Sequence, residues 1–328
     1  MSADLLGPPT ISDAATAGKR LLACVRPPAG LPSRSMRPEE TTYRSSDGTP
    51  LPMRIWRPAL AGKPPVPPHP SRSRAALVYL HGIQSHGGWY EASSRRLAES
   101  GVAVYQIERR GSGTDSVHER GHVDRAETWL ADVEAAAERA RDETETAGVH
   151  LLGVSWGGKL AVASAAARPD LYRSLMLASP GICPRVDLAL LAKVRVAKCL
   201  ALGRDLARFP IPLADPHLFT ENPERVRYIA EDPLALREVT ARFLYESRRL
   251  DRLVRRAAGA VDVPVLLALA ERDRIMDNPA TRALVACLGA PRHRIVEYPG
   301  ASHTLEFEPA PEPYFRDLVA WIDGVETA

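Results

Sequence analysis

Apolar positions along this chain change period from segment to segment, and their order predicts a fold. From about Thr41, T-T-Y-R and L-P-M-R-I-W alternate with a period of two across a D-G turn, which predicts a hairpin. A-A-L-V-Y-L, ending at Leu80, is a continuous apolar run, the pattern of a strand buried on both faces. Helical spacing follows over 88–100, and V-A-V-Y-Q-I from Val102 is the next strand. A helix over Asp124 to Glu143, a strand over Gly148 to Leu152, an alanine-rich helix over Gly157 to Arg168 and the strand S-L-M-L-A from Ser174 continue the series. Strands alternating with helices predict βαβ units and a mostly parallel sheet covered on both faces, an α/β fold.

The rhythm breaks at about Gly181, and up to about Ala260 only helical patterning remains, rich in Leu, Ala and Arg. It resumes with V-P-V-L-L-A-L-A at Val263, a helix near Pro279 to Leu288, the strand R-I-V-E-Y at Arg294 and a last helix from about Pro313. Residues 181–260 are therefore expected to be a helical insertion after the sixth strand, dividing the core into 41–180 and 261–328. Residues 1–40 are poorly patterned and dotted with proline, and predict a loose extension with a short helix near Ala14 to Cys24. The run G-K-P-P-V-P-P-H-P from Gly62 predicts a surface loop.

Composition narrows the function classes. Of 328 residues, 45% are hydrophobic and 25% charged, which are globular values, and the net charge is only +3. No lysine/arginine block of the kind that tracks nucleic acid is present, so no nucleic-acid partner is expected. Cys24, Cys183, Cys199 and Cys287 include no C-x-x-C pair, which argues against zinc or thioredoxin-like chemistry. The N-terminus lacks a basic start followed by an apolar block, and no apolar run reaches membrane-span length. The expectation is a soluble, cytoplasmic protein without stable membrane insertion.

The candidate chemistry sits in L-L-G-V-S-W-G-G-K, Leu151 to Lys159. G-x-S-x-G is short enough to arise by chance, so its context decides. Here it joins a buried strand to a helix, the setting in which a serine is held in a strained turn at the carboxyl end of a sheet. Gly153 and Gly157 are needed because a Cβ at either would meet neighbouring backbone. Ser155 needs a base, and partners in this architecture follow in the order serine, acid, histidine. His217, His293 and His303 come after it. His217 falls in the insertion and His293 begins a strand. His303, in the loop after the last strand, is the best base. The acid should follow the preceding strand, where Glu271, Asp273 and Asp277 lie. Asp273 stands where the loop leaves the strand, with Asp277 in reserve as the N-cap of the next helix. Backbone N–H groups of Trp156 and Ile83 are the candidate oxyanion donors. His81 and His86 lack a third ligand at usable spacing, so no metal is expected, and His81 is read as a brace for the loop.

Together these segments resemble the α/β-hydrolase superfamily, and within it the monoacylglycerol lipase, lysophospholipase and serine aminopeptidase group. The resemblance covers about residue 41 to the end. Besides the elbow it rests on H-G-I-Q-S-H-G-G-W-Y, R-R-G-S-G-T-D at Arg109, D-P-L-A-L-R at Asp232 and G-A-S-H-T-L at Gly300. It implies a Ser155–Asp273–His303 triad under a helical cap, and no cofactor. The chain departs from the lipase-like pattern at Gln84, Val154 and Trp156, and a tryptophan after the serine is similar to proline-type aminopeptidases. The expected function is hydrolysis of a small-molecule acyl ester with a medium or long chain. An aminopeptidase would instead need a cap carboxylate for the substrate ammonium, for which Glu221, Glu224, Glu231 and Asp232 are available. A ligand-binding receptor on the same fold is the third reading.

Overall fold

The computed structural model describes residues 36–45, 47–58 and 73–327. The helix expected near Ala14 to Cys24 and the loop from Gly62 lie outside the described residues. The hairpin forms as β1 (Glu39–Arg44) and β2 (Pro50–Trp56), paired antiparallel. β3 (Ala75–Leu80), β4 (Val102–Ile107), β5 (Val149–Val154) and β6 (Tyr172–Ala178) follow the apolar runs.

Between them lie α1 (Glu91–Glu99), α2 (Ala126–Thr144) and α3 (Trp156–Ala167). After an inserted segment the core closes with β9 (Val265–Ala270), α7 (Asn278–Ala286), β10 (His293–Tyr298) and α8 (Glu312–Glu326).

The spatial order is β1-β2-β4-β3-β5-β6-β9-β10, antiparallel at the β1 and β2 end and parallel from β4 onward. Every residue of β3, β4, β5 and β9 is buried, which is why these strands read as unbroken apolar runs. α1 packs against α8, and α2 against α3. The chain moves outward from β3 to β4 and then returns to the other side of β3 as β5. Such a reversal opens a crevice at the carboxyl ends of the strands, and the loop after β3 and Ser155 both lie there.

The inserted segment contains α4 (Leu190–Ala201), β7 (Arg208–Pro210), α5 (Pro223–Glu231), β8 (Glu238–Thr240) and α6 (Ala241–Arg256). This corrects the expectation of helices alone: β7 and β8 pair antiparallel, Phe209 opposite Val239. Three residues cannot display a period of two, so the ribbon is invisible in the pattern. It exists because Phe209 and Val239 are both buried, and because Thr240 turns directly into α6, its hydroxyl accepting from Phe243 N at 3.1 Å.

Three of the six arginines of α6 pair with carboxylates beyond their own helix, Arg249 with Glu127, Arg242 with Asp205 and Arg248 with Asp187. No helix among the described residues is long and apolar enough to cross a membrane. Cys183, Cys199 and Cys287 are free thiols.

Candidate active site

Ser155 links β5 to α3 with φ 50° and ψ −123°, a left-handed conformation for a residue carrying a Cβ. The strain persists because the surroundings leave no alternative. Ser155 N donates to Ala178 O at 3.0 Å, and Gly181 N donates to Ser155 O at 2.5 Å. A Cβ on Gly153 would lie 2.6 Å from Gly157 O, and one on Gly157 would lie 2.6 Å from His81 O. Both glycines are needed for strand, helix and the loop after β3 to close on one another.

His303, in the loop after β10, presents Nε2 at 2.9 Å from Ser155 Oγ and Nδ1 at 2.8 Å from Asp273 Oδ2. With Nδ1 donating to the carboxylate, Nε2 is left to accept the serine hydroxyl. Asp273, just past β9, accepts on Oδ1 from Ile275 N at 2.8 Å and Met276 N at 2.9 Å. Burial would raise its pKa, but His303 and these two N–H donors outweigh that, and the carboxyl is held below its ordinary value. Asp277 caps α7, accepting from Ala280 N at 2.9 Å, and Glu271 accepts from Gly300 N at 2.6 Å, so neither reaches His303. His293 is exposed on the edge strand and His217 is exposed in the insertion.

The loop after β3 passes directly over the serine. A Cβ on Gly82 would lie 3.3 Å from Ser155 Cβ, and Ile83, Ser155 and Trp156 line one cavity. Ile83 N–H has no partner among the described residues, and Trp156 N–H opens α3, where helix geometry supplies none.

Arg109, named at first only within a motif, holds this loop. Its Nη1 donates to Gly82 O at 3.0 Å and its Nη2 to Ile83 O at 2.8 Å. His81 Nδ1 also reaches Gly82 O, at 2.8 Å, while His81 Nε2 accepts from Arg109 N at 3.1 Å. A trans peptide points its C=O and N–H in opposite directions. Fixing Gly82 O therefore fixes where Ile83 N–H points. The guanidinium also lies 4.7 Å from the centre of the Trp156 ring. Burial pushes the Arg109 pKa down to about 9, which still leaves it cationic at neutral pH. No sequence signal separates Arg109 from its surface counterparts, since its partners are backbone carbonyls.

The insertion is tied to the core beside the serine. Trp156 Nε1 donates to Ser247 Oγ at 2.9 Å, and Lys159 Nζ lies 2.5 Å from Asp251 Oδ1. Trp156 also packs in an aromatic cluster with Trp129 and Phe243. Asp232 accepts from His86 Nε2 at 3.0 Å and Trp89 Nε1 at 2.6 Å. Gln84 stands buried in the same loop, and its backbone carbonyl accepts from Leu236 N at 2.9 Å.

Glu306, three residues beyond His303, joins the two loops of the site. Fully buried, it accepts from Ala92 N at 2.8 Å and Ser93 N at 3.0 Å at the start of α1, and from the Ser93 hydroxyl. Burial pushes its carboxyl up to about 7, and the hydrogen bonds offset this only in part. The folded protein thus keeps a proton that the unfolded chain releases near 4.5. Stability should fall as pH rises from about 4.5 through about 7, by roughly 3 kcal/mol at most. Glu306→Gln is expected to flatten that slope. Thermal unfolding of both proteins across this range checks it, and parallel curves would exclude Glu306 as the source.

A family model described as serine aminopeptidase, S33, matches residues 71–310, which is 240 of the 328 residues. The monoglyceride lipase of Homo sapiens is 27% identical over 281 residues, covering 85% of this chain and 88% of that protein. The monoacylglycerol lipase of Mycolicibacterium smegmatis is 25% identical over 250 residues, covering 76% and 88%. Among solved structures, the monoacylglycerol lipase of Paleococcus ferrophilus superposes with a TM-score of 0.67 at 26% identity, covering 78% of this chain and 96% of that one.

Proposed function

We propose that this chain, which belongs to the serine aminopeptidase S33 family and has the α/β-hydrolase fold, hydrolyses carboxylic esters of the monoacylglycerol type through a Ser155–His303–Asp273 triad. One observation carries the reading. The hydrogen-bond chain from Asp273 through His303 ends on Ser155 Oγ, which opens into a largely apolar cavity of about 560 Å³. That volume is within the range of sites that enclose a small organic ligand.

In this reading Ser155 Oγ attacks the acyl carbon while His303 Nε2 takes its proton. Asp273 holds the imidazole in register and stabilises the imidazolium. The carbonyl oxygen becomes an anion facing Ile83 N–H and Trp156 N–H. Collapse expels the alcohol, protonated by His303. Water, activated by the same imidazole, then releases the acid and frees the serine. None of these steps draws on a metal or cofactor. We read residues 181–260 as the cap that walls the acyl site.

The aminopeptidase reading has less support. Glu221, Glu224, Glu231 and Asp232 are not among the residues lining the cavity. Asp232 is engaged by His86 and Trp89, and Glu221 faces Arg274 at the surface. Asp187 and Asp251 do line it, but both are already paired with cations.

The test is hydrolysis of p-nitrophenyl esters from acetate to palmitate beside the p-nitroanilides of proline and leucine, which carry the free amino group an aminopeptidase requires. kcat/KM is expected to rise by up to about fourfold per added methylene until the cavity is full, with anilides far slower. Faster anilide cleavage would reverse the choice between the two readings.

A further inference from the structure

α4 and α6 run antiparallel in the wall of the Ser155 cavity. Arg242, in the first turn of α6, meets Asp205 beyond the end of α4, whereas Arg248, further along α6, meets Asp187 ahead of the start of α4. The cavity they share therefore has two different ends. Val196, Leu200, Leu213 and Leu244 make one end apolar. The other end holds Lys159, Asp187, Lys193, Arg248 and Asp251, with Val186 and Leu188 flanking Asp187.

This polar end is a connected network. Lys159 Nζ lies 2.5 Å from Asp251, and both side chains are 6% exposed. Arg248 lies 3.4 Å from Asp251 and also pairs with Asp187, which in turn lies 2.7 Å from Lys193 Nζ. Three cations face two carboxylates, so the charged residues lining this cavity carry one positive charge in excess among the described residues. The Lys159 ammonium has three donors and uses one, on Asp251. Lys159 is also close to the chemistry: it follows Ser155 by four residues on α3, about 6 Å along the helix. The amino end of α3, with no acidic residue in its first turn, adds positive potential at the same place.

An excess cation with free donors in the cavity that Ser155 lines suits a substrate that brings a negative charge there. Resting on the ester-hydrolase reading above, we infer that the preferred substrate is an acyl ester whose alcohol half carries an anionic group, a carboxylate or a phosphate. Lys159, Lys193 and Arg248 receive that group, and the acyl chain fills the end formed by Val196, Leu200 and Leu244. A neutral ester of the same chain length leaves the excess charge unanswered.

The test measures release of decanoate from monodecanoylglycerol, decanoyl glycerate and decanoylglycerol phosphate. It uses the wild-type protein, Arg248→Gln, Asp187→Asn and Ser155→Ala. The expected kcat/KM for at least one charged ester exceeds that for the neutral ester by about tenfold or more, the scale of one charge-assisted hydrogen bond. Which charged ester leads separates carboxylate from phosphate recognition. The preference should shrink in Arg248→Gln, grow in Asp187→Asn and weaken as salt is added. General destabilisation cannot move two variants in opposite directions. Equal or faster turnover of the neutral ester overturns the inference and leaves the esterase reading standing, as does a preference indifferent to both variants. Absence of Ser155-dependent turnover on all three esters overturns the esterase reading, and this inference with it.

Discussion

Ser155→Ala is expected to lower kcat for ester hydrolysis by a factor of about a million while leaving the fold intact. A hydroxyl removed from a hydrogen-bonded nucleophile–base–acid chain takes the covalent step with it. His303→Ala should cost about as much, and the double variant little more than either, because the groups act as a unit. Asp273→Asn should cost about ten-thousandfold, since an amide at this position favours the wrong imidazole tautomer. The structure supports that figure. Asp273 Oδ1 is already committed to Ile275 and Met276 N–H, so only Oδ2 faces His303 Nδ1. Single-turnover kinetics on a p-nitrophenyl ester, with thermal unfolding as the control for folding, measures all four variants. Retention of more than about one per cent of kcat by folded Ser155→Ala would sink the nucleophile assignment.

Arg109→Met should lower kcat by about a hundred- to a thousandfold with KM nearly unchanged. That is the scale of losing one oxyanion donor. The guanidinium touches no substrate atom in this account. It fixes Gly82 O and Ile83 O and thereby aims Ile83 N–H. The effect should consequently fall on the transition state, in which the oxygen is charged, and spare ground-state binding. Affinity for a boronic acid that mimics the tetrahedral intermediate should weaken in parallel with kcat, while inhibition by the product acid stays as it was. Arg109→Lys, able to reach one carbonyl as a point charge, should recover part of the loss. Leaving Ile83 O without its donor will also lower stability, by about 1–3 kcal/mol, whereas Gly82 O keeps His81 Nδ1–H. The split between kcat and KM separates that from the catalytic effect. Equal losses in binding of substrate and boronic acid would reduce Arg109 to a structural residue.

Much of the site was legible because its chemistry is local. Ser155, Gly153 and Gly157 are named by a strand, a turn and a helix contiguous in the chain. His303 and Asp273 are named by following the last two core strands, and Ile83 by following the first parallel one. A parallel sheet delivers the ends of all its strands to one edge, so reading which loop follows which strand already groups these residues. Asp273 and Asp277 were separable for the same reason, one at the strand's exit and the other a residue before a helix.

What escaped notice depends on partners distant in the chain. Arg109 meets the backbone of Gly82 and Ile83, and a carbonyl leaves no trace in a sequence. Glu306 looks like any acidic residue of a polar loop until α1 is laid across it. Lys159 and Asp251 are separated by 92 residues, and only the packing of α6 on α3 makes them a buried pair. The β7–β8 ribbon is too short to carry a period. Alternation of apolar runs and helical spacing thus determined the α/β core and the succession of its elements along the chain, and grouped Ser155, His303 and Asp273 as candidates, because covalent neighbours and strand direction suffice for that. The polarity of the cavity, the clamp on the loop after β3 and the joints between insertion and core were decided by the tertiary structure alone, because each is a contact between side chains or carbonyls that only close packing brings within hydrogen-bonding distance.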